Sequence, residues 1–169
     1  MLINYKETIQ FKLEIVNYHS KRLFESMDIK DTNQLVAVTA DFSALMLTYQ
    51  SIFDLVAQEI NQNYKLNLDP NRLYFHSLNN HYYNHPQLRK IIPELLEWYK
   101  YINDFCNTIK HQRLIEIKEE NYFLSPSQII TSYRIKEFKK KGVYYPSKTI
   151  PYYTRRLTNE LNPKINIFT

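Results

Sequence analysis

Residues 31–60 read DTNQLVAVTADFSALMLTYQSIFDLVAQEI, and this stretch decides the fold. Leu35, Val38, Phe42, Leu45, Tyr49, Ile52, Val56 and Ile60 recur at steps of three and four, the period of one buried helix face. Asp31, Thr32 and Asn33 supply capping oxygens just before the row starts. The spacing therefore predicts one long helix over most of this stretch. A second row precedes it: Ile9, Leu13, Val16, Leu23 and Met27 keep the same period between Tyr5 and Met27, interrupted at Ser20, and predict a first helix.

Downstream, Asp69-Pro70 offers a cap followed by proline at a first helical position, which predicts a short helix from about Pro70 to Asn80. His81-Tyr82-Tyr83-Asn84-His85-Pro86 reads as a loop. From Gln87 to about Ile117, Leu88, Ile91, Leu95, Tyr99, Ile102, Phe105, Cys106 and Ile109 again follow a helical period, so the segment is expected to be a continuous helix bent at Pro93. Ser125-Pro126-Ser127 looks like the start of a fifth helix, running to about Lys141 and stopped by Gly142. Prolines at 146, 151 and 163 argue against a long helix beyond that point and favour an extended arm packed on the bundle or on a partner. The expected architecture is all-α: an up-and-down bundle of about five helices over residues 1–142, with an irregular basic arm over 143–169.

Composition agrees with this reading. The 169 residues suffice for one domain with a real core. The single glycine is too few for a turn-rich sheet protein. Cys106 is the only cysteine, which excludes an internal disulfide and points to a reducing cytoplasm. No signal-peptide pattern opens the sequence, and no uninterrupted apolar run approaches the roughly 20 residues of a bilayer span, so no membrane partner is expected. The net charge of +5 is unevenly placed. Arg134, Lys136, Lys139, Lys140, Lys141, Lys148, Arg155 and Arg156 against Glu137 give residues 134–156 a charge of +7, leaving −2 for the rest. An anionic partner should meet that part first.

Two patterns carry chemistry. At about 100° per residue, Lys100, Asp104, Asn107 and His111 form one polar stripe on the fourth predicted helix, expected to face away from the core toward solvent or another subunit. A histidine that moves protons near neutral pH, an amide and the neighbouring cations Lys110 and Arg113 are what an RNA-cutting site needs. The same composition also describes an ordinary solvated helix face. Asp54, Glu59 and Asn61 on the second helix could support the stripe. The second pattern mixes Lys139, Lys140 and Lys141 with Tyr144, Tyr145, Tyr152, Tyr153, Arg155 and Arg156, as single-strand-binding surfaces do. His76, His81 and His85 lack a specific ligand spacing, so neither a metal nor another cofactor is expected.

Asn107-Thr108-Ile109-Lys110-His111, late in a long helix of a helical chain, resembles the motif of HEPN (higher eukaryotes and prokaryotes nucleotide-binding) domains, which runs Arg, a polar residue that is often Asn, three more residues, then His. It is similar in particular to small bacterial members with lysine before the histidine. The resemblance implies a helical bundle that dimerises through its motif helices, and a metal-independent endoribonuclease in which the RNA 2′-hydroxyl attacks its own phosphorus. His111 would transfer a proton and Asn107 would orient the nucleophile or phosphate. Toxin–antitoxin and antiviral roles are common in the family, which makes an antitoxin or other protein a possible partner. One position departs from the pattern: Cys106 stands where the family has arginine, and a thiol supplies no forked, permanently charged donors. The alternative is a catalytically inactive HEPN-like module serving regulation or structure.

Overall fold

The computed structural model describes residues 4–28, 32–111, 116–125 and 128–169, with backbone alone at 111, 123–125 and 128–130. Helices dominate. α1 (Tyr5–Asp28), α2 (Gln34–Asn63) and α3 (Pro86–His111) form the body. α1 lies antiparallel to α2: Ser26 donates to Asp41 Oδ2 at 2.8 Å near one end, and Lys6 approaches Glu59 at 4.0 Å near the other. α3 also runs against α2, with Phe42 edge-on to Phe105 at 5.3 Å and Phe53 edge-on to Tyr99 at 5.5 Å. The apolar row of α2 is the centre of the core from Val38 onward, since Val38, Phe42, Leu45, Tyr49, Ile52 and Val56 are fully buried, whereas Leu35 at its start is exposed. By length and composition α2 also reaches what a membrane-crossing helix needs.

α3 continues through Pro93 without a break, as its apolar period predicts. The short helix expected at 70–80 is instead two 3-10 turns, Pro70–Arg72 and Phe75–Asn80, and the expected loop after it holds a third at Tyr82–Asn84. Asp69 does cap the first turn, accepting from the Asn71 backbone at 3.0 Å.

The chain is not purely helical. Where a fifth helix was expected, from Ser125 to about Lys141, β2 (Gln128–Ile135) instead pairs antiparallel with β1 (Ile117–Ser125), the strand just before it. The physical reason lies in the sequence of β2: Ile129, Ile130, Thr131, Tyr133 and Ile135 are β-branched or aromatic, side chains that suit a pleated surface better than a helix. Tyr133 and Ile135 are buried and Arg134 between them less so, the alternation of a strand with one face on the core. Pro126 and Ser127, in the expected cap, lie outside the described residues. β3 (Phe138–Lys140) and β4 (Val143–Tyr145) form a second hairpin, closed by Lys141 at φ +47° and Gly142 at φ +82°. Two consecutive positive φ values fit a tight hairpin turn, so Gly142 serves a β-turn and not a helix stop. β5 (Lys148–Thr149) extends the first sheet beside β2.

The C-terminal region corrects the expectation of an irregular arm. It is helical from Ile150 to Phe168, as α4 (Ile150–Arg156), a π-helical turn at Leu157–Leu161, α5 (Asn162–Ile165) and a final 3-10 turn. Pro151 does not break it because it stands in the first turn of α4, where a missing N–H costs nothing, and Pro163 follows directly on the π-helical turn that joins α4 to α5. Ile150, Leu157, Leu161 and Ile165 join the same core as α1, α2 and α3. Tyr49 donates a 2.7 Å hydrogen bond to Asn162 Oδ1, tying α2 to this segment.

Candidate functional site

On α3, Lys100, Asn103, Asp104 and Asn107 follow one another at steps of three, one and three, which places them on one side of the helix. That side is one wall of a cleft of about 790 Å³. The second wall is the 3-10 segment and its approach, contributing Tyr74, His76 and Asn79. The third is the turn of the β3–β4 hairpin, contributing Lys141 and Val143. The polar stripe thus does not simply face bulk solvent: it looks into a cleft walled by two other parts of the same chain.

Asp104 departs furthest from the outward placement expected for it, being only 5% exposed. Its Oδ2 accepts a 2.6 Å hydrogen bond from the Tyr145 hydroxyl on β4. Asn107 is half-buried and Lys100 exposed. Lys110 donates at 3.0 Å to Gln50 Oε1 on α2, and Gln50 Nε2 donates at 3.1 Å to Asn103 Oδ1. This relay fixes the Asn103 amide by its oxygen and leaves its Nδ2 donor for a ligand. Burial raises the Asp54 carboxyl above its ordinary range, with Lys110 and then His76 opposing the shift. Burial, helped by Asp54, Asp104 and Tyr74, pushes the Tyr99 hydroxyl up to about 12 and keeps it a neutral donor. Of the other supporting residues weighed on α2, Glu59 is buried and accepts from Asn63 at 2.6 Å, while Asn61 holds Leu68 through both its amide atoms. Both are occupied with structure.

Of the sequence-predicted site residues, Lys100, Asp104, Asn107 and Lys141 meet at the cleft, and Lys110 reaches it through Gln50. His111 is the last residue of α3, and its side chain lies outside what is described; Arg113 lies outside the described residues altogether. Lys139 and Lys140 do not line the cleft; of the three consecutive lysines only Lys141, at the hairpin turn, does. Cys106 is fully buried beside Tyr101, and burial pushes its thiol up to about 12. The arginine position of the motif therefore points into the core of this fold.

The mixture of rings and cations near the C-terminus is largely satisfied internally. Tyr145 and Tyr153 are buried, and Tyr101 stacks on Tyr153 at 4.7 Å. Arg156 lies 4.7 Å over the Trp98 ring and pairs with Glu160 at 2.6 Å, and Lys148 covers Tyr152 at 5.3 Å.

Sequence reasoning missed Asn103, Tyr74, His76, Asn79 and Tyr99 as cleft residues. Asn103 was accessible to it, since three residues after Lys100 lies the same helix face. His76 was grouped with His81 and His85, but the fold separates them: His85 packs on Tyr64 at 5.1 Å, whereas His76 lies near Tyr99 on α3. Among the described residues, Lys100 and Lys141 make no ion pair with an acid, unlike Lys136, Arg134 and Arg156. Two unpaired cations from separate elements, three asparagine amides and a neutral phenol can hold a phosphate and hydrogen-bond a polar edge beside it. No family model, curated protein or solved structure matches this chain.

Proposed function

We propose that this protein is a HEPN-like RNA-binding module that holds RNA in the α3 cleft without cutting it by the family's arginine-assisted route. The observation that carries the proposal is that Lys100 and Lys141, unpaired and from different elements, line one cleft with Asn103 and Asn107. Phosphate contacts of this kind supply most of the affinity for nucleic acid, and amides on a fixed helix face set register. Of the motif residues, Asn107 lines the cleft and Lys110 is tied to it through Gln50 and Asn103, which supports the resemblance of the motif to the HEPN pattern. A dimer through α3, which that resemblance implies, is part of the proposal, and Lys100 and Lys110 are exposed on the helix it would use.

The silent reading of the chemistry is favoured by a specific observation: the side chain at 106 is a buried thiol with no access to a ligand. A guanidinium there would have to enter the core unpaired.

Labelled single-stranded RNA titrated with the full chain in EDTA, followed by fluorescence anisotropy and by a denaturing gel, tests both halves. Saturable, salt-sensitive binding is expected, weakened at least about tenfold by the Lys100→Glu and Lys141→Glu pair, with the RNA left intact. Absent binding, or equal binding by the charge-reversed protein, would overturn the RNA proposal. Cleavage that His111→Ala abolishes would overturn the silent reading.

A further inference from the structure

Resting on the RNA-binding reading, we infer that the cleft takes a single-stranded segment with one unstacked base lying on the Tyr74–His76 rings and a neighbouring phosphate at Lys100 and Lys141. Tyr74 is 52% exposed although a ring of that size contributes more inside the core. Its ring lies nearly parallel to His76, with centroids 6.0 Å apart and planes 11° off. His76 is in turn 6.3 Å from Tyr99 and 22° off its plane. The tier is anchored at its inner end, because Tyr99 is 8% exposed and packs against Phe53 and Phe75, both fully buried. Phe75, between the two tier residues in sequence, points the opposite way into the core, which holds Tyr74 and His76 on the open wall.

Every base presents a flat π-face, and an exposed stack of rings beside unpaired cations is the arrangement that binds single strands. In a duplex the π-faces are covered by neighbouring base pairs, and the grooves offer edges and phosphates only, so the tier would have nothing to stack on. The cleft's 790 Å³ lies within the range of about 300–1,000 Å³ usual for small-ligand pockets, which leaves room for a base and its neighbouring phosphate.

The test measures affinities of the full chain for a short oligouridine, an oligoadenosine and an A-form RNA duplex of equal phosphate count, over a series of salt concentrations. The account expects single strands to bind more tightly than the duplex. Tyr74→Ala and His76→Ala should each weaken single-strand binding by about five- to a hundredfold with the salt dependence unchanged. Tyr74→Phe should restore most of the affinity. Lys100→Gln should instead lower the slope of log affinity against log salt by about 0.7. Both aromatic positions are exposed, and thermal melting of each variant checks that the fold is intact. If single strands bind but neither alanine variant weakens them, or if the duplex binds equally well, the stacking inference is overturned and RNA binding by the cleft stands. If the unaltered protein binds none of the three, both fall together.

Discussion

The Tyr145 hydroxyl donates a 2.6 Å hydrogen bond to the buried Asp104 carboxylate, so the β3–β4 hairpin is fastened to α3 beside the cleft it helps to wall. Tyr145 also stacks on Phe138 at 4.6 Å, and Phe138 meets Phe105 on α3 at 6.1 Å. A hydrogen bond to a buried charged acceptor contributes more than a neutral one, and its loss leaves the charge unsatisfied. Tyr145→Phe is expected to cost about 1.5–3 kcal/mol in urea unfolding. In an Asp104→Asn background the same change should cost clearly less. Equal costs in both backgrounds would mean that the two groups do not act on each other.

The tyrosine-rich core makes stability sensitive to alkali. Burial raises the Tyr101, Tyr145, Tyr153 and Tyr49 hydroxyls above their ordinary value, and brings Tyr99 and the Cys106 thiol to about 12. A group whose folded pKa is raised keeps its full contribution below its unfolded pKa and loses it as pH rises toward the folded one. The unfolded values are about 8.5 for cysteine and about 10 for tyrosine. The melting temperature should therefore start to fall above about pH 8.5 and drop steeply above about pH 10. A melting temperature that stays flat to pH 11 would contradict this picture of the core.

The same burial fixes the chemistry of Cys106. A thiol held neutral and fully covered by α3's neighbours reacts as fast as the protein opens and no faster. Labelling by a disulfide reagent should accordingly be slow in native protein and complete in denaturant. Cys106→Arg, which places there the residue of the motif that the sequence resembles, should destabilise the fold by more than about 3 kcal/mol, since it forces a charge into the core. A stable, folded Cys106→Arg protein that cuts RNA would show that the side chain can reach the cleft.

The C-terminal helical segment is a part of the core and not an appendage. Leu157, Leu161 and Ile165 are almost completely buried, and Asn162 accepts from Tyr49 in the middle of α2. Ending the chain at Thr149 is expected to abolish cooperative unfolding, whereas Tyr49→Phe in the full chain should cost only about 1 kcal/mol. Circular dichroism melts distinguish the two. A truncated protein that melts as sharply as the full chain would contradict the packing.

How far the sequence reveals the fold follows from which signals are local. α1, α2 and α3 were readable because each carries a sustained apolar period, and in α3 that period correctly overrode Pro93. Residues 125–141 were misread because Ser125-Pro126 imitates a helix start, while the evidence for strands was spread over β-branched residues that also fit a short helical pattern. Pro151 was read as a breaker when it occupies a first turn, a distinction that depends on where a helix begins, and Pro163 lies just after the π-helical turn of the same run. In the site, Lys100, Asp104 and Asn107 were found because they share one helix. Tyr74, His76 and Lys141 complete the cleft through tertiary contacts, and no spacing along the chain encodes those. Asp104 was placed on the outside because helix projection shows which residues share a face but not what later packs over it.

The most direct test of the central claim is where RNA touches the protein. Single-stranded RNA carrying 4-thiouridine, photo-cross-linked to the full chain and mapped by peptide mass spectrometry, should mark the segment around Tyr74–Asn79, the Lys100–Asn107 stretch of α3 and the turn at Lys141. Cross-links confined to Lys148–Arg156 or to the outer faces of α1 and α2, with the cleft unmarked, would contradict it.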